Sequence, residues 1–198
     1  MARRIPRHVL AVALLLAGCA APAPTGRLQG VVVEDPTPKP SFVLTDTAGE
    51  RYDFAARTDG KLTLLFFGYT SCPDICPVQL SQIAEVLQQM PDVAARTEVV
   101  FVGVDWERDT PERIRSYLDR IDPRFVGLTG APEELRAAQE AAGVPPAFIE
   151  DGTVAHASWV IAYAPDGLNR TIYPFGTRQA TWRNDLPILA AMGEEGRR

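Results

Sequence analysis

The sequence is poor in the residues that carry most site chemistry. Its 198 residues include three cysteines and two histidines, so any metal or redox site has few candidates. Basic residues are in the minority, and the formal net charge is −5, which excludes a general nucleic-acid binder with a basic face. No apolar run approaches the ~20 residues that span a bilayer, so a permanent transmembrane helix is not expected. There is no short repeat and no sustained heptad, which excludes collagen-like and coiled-coil architectures. What is present is ordinary globular usage, 46% hydrophobic and 23% charged, enough to build a core and to exclude disorder as the main state. At roughly 150 residues per domain the length fits one domain with tails.

The amino terminus reads as an address. Arg3, Arg4 and Arg7 precede the apolar run from Val9 to Ala17, the pattern of an export signal. Without residues 1–18 the chain has 17 basic and 25 acidic side chains, a net charge of −8. The run ends in Leu16-Ala17-Gly18-Cys19, which resembles a bacterial lipobox, where the cysteine is lipid-modified and becomes the first residue. The alternative is plain secretion with cleavage near Ala20 or Ala21. A lipid on Cys19 leaves one cysteine pair for the domain, and export places that pair in an oxidising compartment. The expected organisation is a signal over 1–18, a Pro/Ala-rich tether over 19–40, a domain over 41–193 and a tail over 194–198. The expected location is outside the cytoplasmic membrane, tethered to its outer face or in the periplasm.

Within the domain, apolar runs alternate with helical patterns. Residues 42–45 and 51–54 flank a Gly-containing turn and predict a hairpin. Leu62 to Phe67 and Glu98 to Val104 read as strands buried on both faces. Between them, Leu80, Ile83, Ala84 and Leu87 share one helix face, with Pro77 suited to the first helical position. Thr110 and Pro111 predict the start of a second helix, and Pro132 to Ala142 forms a third that Gly143 stops. Two short segments around Gly152, strands at 158–163 and 170–173, and a helix over 181–192 containing Pro187 complete the chain. The pattern predicts an α/β fold with a mixed sheet between helices.

Cys72 and Cys76 join a buried strand to a helix start. A spacing of four brings two side chains to one side of a helical turn. A helix N-terminus favours thiolate over thiol, and strand ends of α/β sheets are where ligand sites form. His156 is the one histidine outside the signal, just before a buried strand. Two thiolates and an imidazole form a soft three-ligand set suited to Cu(I), with zinc as competitor. Each residue also has a plainer role. The cysteines could form an inert disulfide over a short loop, and His156 could be a packing histidine. Asp74, between the cysteines, either tunes the site or is simply solvated. Trp106, Trp159 and Trp182 read as core or rim packing.

These residues resemble the SCO/SenC family of copper-handling, thioredoxin-like proteins from about Ser41 to Met192. The run Phe66-Phe67-Gly68-Tyr69-Thr70-Ser71-Cys72-Pro73-Asp74-Ile75-Cys76-Pro77 is similar to the family's site motif. Val104-Asp105-Trp106-Glu107-Arg108-Asp109-Thr110-Pro111-Glu112 is similar to a second block, with Trp106 where proline is common. In the third block the family's Asp-His-Ser is replaced by Ala155-His156-Ala157-Ser158, and Tyr173-Pro174-Phe175-Gly176 also looks like family sequence. The resemblance implies a thioredoxin-like fold with an added hairpin. It implies one copper, as Cu(I) or Cu(II), on Cys72, Cys76 and His156, with Asp74 and Asp105 as supporting groups. It implies that the two cysteines cycle between dithiol and disulfide. The implied partners are cytochrome c oxidase subunit II, whose binuclear CuA site would be the client, a copper-donating chaperone, and the membrane through Cys19. Thiol–disulfide oxidoreductase chemistry, reducing the client cysteines or acting in redox signalling, is the alternative activity.

Overall fold

The computed structural model describes residues 26–150 and 153–193. Along the chain run β1 (Val31–Val32), β2 (Val43–Asp46), β3 (Arg51–Asp53), α1 (Phe54–Arg57), β4 (Leu62–Gly68), α2 (Ile75–Gln88), α3 (Pro91–Ala94) and β5 (Thr97–Gly103). There follow α4 (Pro111–Asp119), β6 (Val126–Thr129), α5 (Pro132–Ala141), β7 (Phe148–Glu150), β8 (Thr153–Ala155), β9 (Trp159–Tyr163), β10 (Asn169–Pro174) and α6 (Gln179–Ala191). Eight strands form one sheet in the order β1-β10-β9-β4-β5-β6-β2-β3, and β7 with β8 forms a separate hairpin. β4, β5 and β6 are parallel, while β9 lies antiparallel to β4 on its other side.

Period-two alternation explains why the central strands read as unbroken apolar runs. On β4, Leu62, Leu64 and Phe66 face one core while Leu65 and Phe67 face the other. β5 divides in the same way, with Val99 and Phe101 opposed to Val100 and Val102. The first core is closed by Leu80 and Ile83 of α2, Ile114 and Leu118 of α4, and Trp182 and Leu186 of α6. The second is closed by Phe54 of α1, Leu135 and Ala138 of α5, and Val154 of β8. α4 is capped as its sequence predicts, with Thr110 accepting a hydrogen bond from the Arg113 N–H at 3.3 Å. α5 stops at Gly143, whose φ of +68° is left-handed.

Two features differ from the sequence expectation. α2 begins at Ile75, so Cys76 stands in its first turn and Pro77 is the third helical residue. The first four N–H groups of a helix have no partner within it, so proline is tolerated there as well as at the first position. The second difference is the stretch up to Pro40, expected to be tether, which is docked from Arg27 onward. The buried Asp185 carboxylate accepts hydrogen bonds from the N–H groups of Gln29 (2.9 Å) and Gly30 (2.9 Å) and from the Tyr173 hydroxyl (2.9 Å). Asn184 holds the Arg27 carbonyl, and β1 then pairs antiparallel with β10. At the far end Lys39 Nζ donates to the Thr58 carbonyl and to the hydroxyls of Thr58 and Thr63. Burial lowers its pKa to about 8. A buried carboxylate needs donors, and backbone amides satisfy it whatever side chains they carry. The strap is therefore invisible to a reading of side-chain patterns.

Asp185→Ala leaves those donors without their acceptor. It should lower the unfolding free energy by about 3 kcal/mol in urea denaturation and open the chain to trypsin after Arg27. A loss below about 1 kcal/mol with Arg27 still protected would show that the strap is held by other contacts.

Candidate metal centre

The site forms at the carboxyl end of β4. Gly68 ends the strand, residues 69–74 loop over the sheet, and α2 starts at Ile75. The loop closes on itself through the Cys72 N–H, which donates to the Tyr69 carbonyl at 3.2 Å. The Cys76 N–H points at the Cys72 sulfur at 3.4 Å. Gly68 is required by the close fit, because a Cβ there would lie 3.1 Å from the Cys76 sulfur and 2.7 Å from the Phe101 ring.

His156 comes from the other side of the sheet's end. It lies between β8 and β9, and β9 runs antiparallel to β4 with Val160 opposite Phe66. That register brings a residue 80 positions away to the cysteine loop, with His156 Nε2 4.0 Å from the Cys76 sulfur. The two sulfurs and a ring nitrogen of His156 all lie within 4.8 Å of one another. Nδ1 is 2.9 Å from both the Phe67 and the Ala157 carbonyl oxygens. Carbonyls accept only, so Nδ1 carries a proton, and in the neutral imidazole Nε2 presents its lone pair to the sulfurs. These two backbone carbonyls fix the orientation of the imidazole. The Tyr69 ring packs edge-on to the imidazole, with centroids 5.3 Å apart.

Both cysteines are free thiols, and both are buried. They share one proton. The Cys76 thiol donates to Cys72 and, despite burial, brings the Cys72 pKa down to about 5, helped by the N–H groups of Cys76, Asp74 and Ile75. The same bond, with burial, pushes the Cys76 thiol up. Tyr69 hydrogen-bonds to Cys72, and burial, then the Cys72 charge, pushes its phenol up.

Asp74 sits at the N-cap of α2, but its carboxylate does not cap the helix; its contribution to Cys72 is its backbone N–H. Asp105 is fully buried in the loop after β5 and pairs with Arg108 at 2.5 Å. It is not one of the converging groups. Cys19 lies outside the described residues. Sequence reading missed Tyr69, Asp109 and Arg113, all of which contact the cysteine loop or its neighbours. Tyr69 stands inside the quoted motif, and Asp109 in a second strand-end loop, which was the available signal. Trp182 is core as expected, Trp159 is half-buried beside His156, and Trp106 is exposed at the rim.

Fold and site together define a thioredoxin-like domain with a soft, three-donor metal centre at a strand end. The sequence model of the SCO1/SenC family matches residues 33–190. The chain belongs to that family. The mitochondrial SCO1 homolog of Homo sapiens is 34% identical over 137 residues, 64% of this chain and 44% of that protein. The chain spans about half the length of the curated relatives it matches. The structure of Bradyrhizobium japonicum ScoI with copper bound is 34% identical, covers 77% of this chain and 99% of its own, and superposes with a TM-score of 0.68. Apo Sco1 of Thermus thermophilus is 30% identical over 81% of this chain and 95% of its own, with a TM-score of 0.72.

With its pKa near 5, Cys72 is a thiolate at neutral pH, and protonation removes it only as pH falls through that value. Its alkylation by iodoacetamide should be flat from about pH 6 to about pH 8 and fall tenfold per unit below about 5. Cys76→Ala removes the thiol donor and should move the midpoint upward. A rate that instead climbs steadily through about pH 8 in the unaltered protein would refute the shared proton.

Proposed function

We propose that this chain is a copper metallochaperone that carries one copper ion on Cys72, Cys76 and His156. The carrying observation is the convergence of two sulfurs and a lone-pair nitrogen within 4.8 Å. The donor set fits the cargo. Thiolate and imidazole are soft or borderline ligands, and Cu(I) accepts three of them, whereas a closed structural zinc site takes four. Two thiolates, a neutral imidazole and Cu(I) sum to −1, a charge that the N–H groups at the start of α2 can face. Copper bound in the Bradyrhizobium relative supports the same cargo here.

The client in this reading is the CuA site of cytochrome c oxidase subunit II, and release proceeds by ligand exchange with the client's thiolates. The SCO/SenC resemblance of residues 66–77 and 104–112, within the match over residues 33–190, supports that assignment. A separate copper-donating chaperone would load the site. A lipid on Cys19 would confine the protein to the outer face of the membrane near its client. No described helix is long and apolar enough to cross a membrane.

A second reading is favoured by the Cys72 thiolate, a ready nucleophile for a client disulfide, with Cys76 resolving the mixed disulfide. Histidine separates the two. Anaerobic Cu(I) titration of the reduced full chain against a chromophoric chelator should show one tight equivalent. His156→Ala should weaken it at least tenfold, since even partners behind a ligand are worth about 10–100-fold. No binding, or binding indifferent to His156, would move the assignment to thiol reductase, which His156→Ala should leave active.

A further inference from the structure

The cysteine loop is braced by a second loop that the copper reading leaves unused. Asp109 follows β5 and is only 2% exposed. Its Oδ1 accepts from the Thr70 N–H at 3.1 Å and from the Thr70 hydroxyl at 2.6 Å. The same hydroxyl accepts from Arg113 Nε at 2.9 Å, and Arg113 Nη2 donates to the Ser71 hydroxyl at 2.9 Å. Asp109 is itself fixed, its N–H donating to the Asp105 carbonyl at 2.7 Å and its own carbonyl accepting from the Thr129 hydroxyl at 3.1 Å. A Cβ on Gly103 would lie 2.9 Å from the Asp109 side chain, so the strand end leaves no slack.

We infer that Asp109 and Arg113, acting through Thr70 and Ser71, are positioning residues that hold the cysteine loop so that Cys72 faces Cys76 and His156. The inference rests on the copper reading only for its metal readout. Residues 70, 71 and 72 are each bonded in turn, the last through the Tyr69 carbonyl. With the loop so held, the Cys76 N–H meets the Cys72 sulfur at 3.4 Å, and the Tyr69 ring lies against the imidazole. Burying a carboxylate is costly unless donors meet it, and the donors that meet Asp109 Oδ1 are the amide and hydroxyl of Thr70. Its contribution is therefore the geometry it imposes.

Thr70 provides the test in the full chain. Thr70→Val keeps the shape and removes the hydroxyl, and Thr70→Ser restores it. Thr70→Val should weaken Cu(I) binding about tenfold, the worth of one or two hydrogen bonds, while Thr70→Ser stays within about threefold of the unaltered protein. Without metal, Cys72 is only 8% exposed, so its alkylation rate at one fixed pH of about 7 should rise in Thr70→Val as the loop loosens and return in Thr70→Ser. Arg113→Gln, at an exposed position, should move both readouts the same way and guards against a misfolded Thr70→Val. If the unaltered protein binds no copper while the alkylation rate follows the hydroxyl, the copper reading fails and the positioning stands. An alkylation rate unmoved in both Thr70→Val and Arg113→Gln, or one that Thr70→Ser does not restore, overturns it.

Discussion

The hydrogen bond between His156 and the Phe67 carbonyl joins the two halves of the site. Phe67 precedes the last residue of β4, and His156 precedes β9. The bond ties the end of one strand to the approach of its antiparallel neighbour at 2.9 Å. It also settles which imidazole nitrogen is free. With the Ala157 carbonyl at the same 2.9 Å and the Tyr69 ring edge-on, it holds the imidazole so that Nε2 faces the sulfurs. The sheet makes this bond inexpensive. Phe66 and Val160 are already paired, so only a short connection has to be ordered.

The cysteines are prepared in a different way. Their loop sits where α2 begins, and the unpartnered N–H groups of that first turn are spent on the Cys72 sulfur. Cys76 lies deeper and keeps the proton. A buried pair of thiols can hold one negative charge at modest cost and two only when a cation arrives. The site is thus arranged so that a soft cation completes its charge balance, and so that a disulfide partner meets an ionised nucleophile. Both proposed activities draw on the same asymmetry.

Much of this was legible beforehand. Buried strands announce themselves by unbroken apolar runs, as Leu62 to Phe67 does, and Thr110-Pro111 announces a helix start. The Cys72–Cys76 spacing and its place after a strand identified two of the three donors. The strap was not legible, because Asp185 holds it through the amides of Gln29 and Gly30, and amides are common to nearly all residues. The carbonyls that orient His156 were hidden for the same reason. Asp109 was hidden because its partner, Thr70, is 39 positions away and neither residue type is distinctive.

The α/β class, the strands buried on both faces and the chemical identity of the donors were set by side-chain type and local spacing. Tertiary packing brings His156 to the cysteines, leaves the charge on Cys72 rather than Cys76, and docks residues 27–40 on the domain. Those outcomes depend on strand register, depth of burial and backbone hydrogen bonds. None of the three is a property of any residue taken alone.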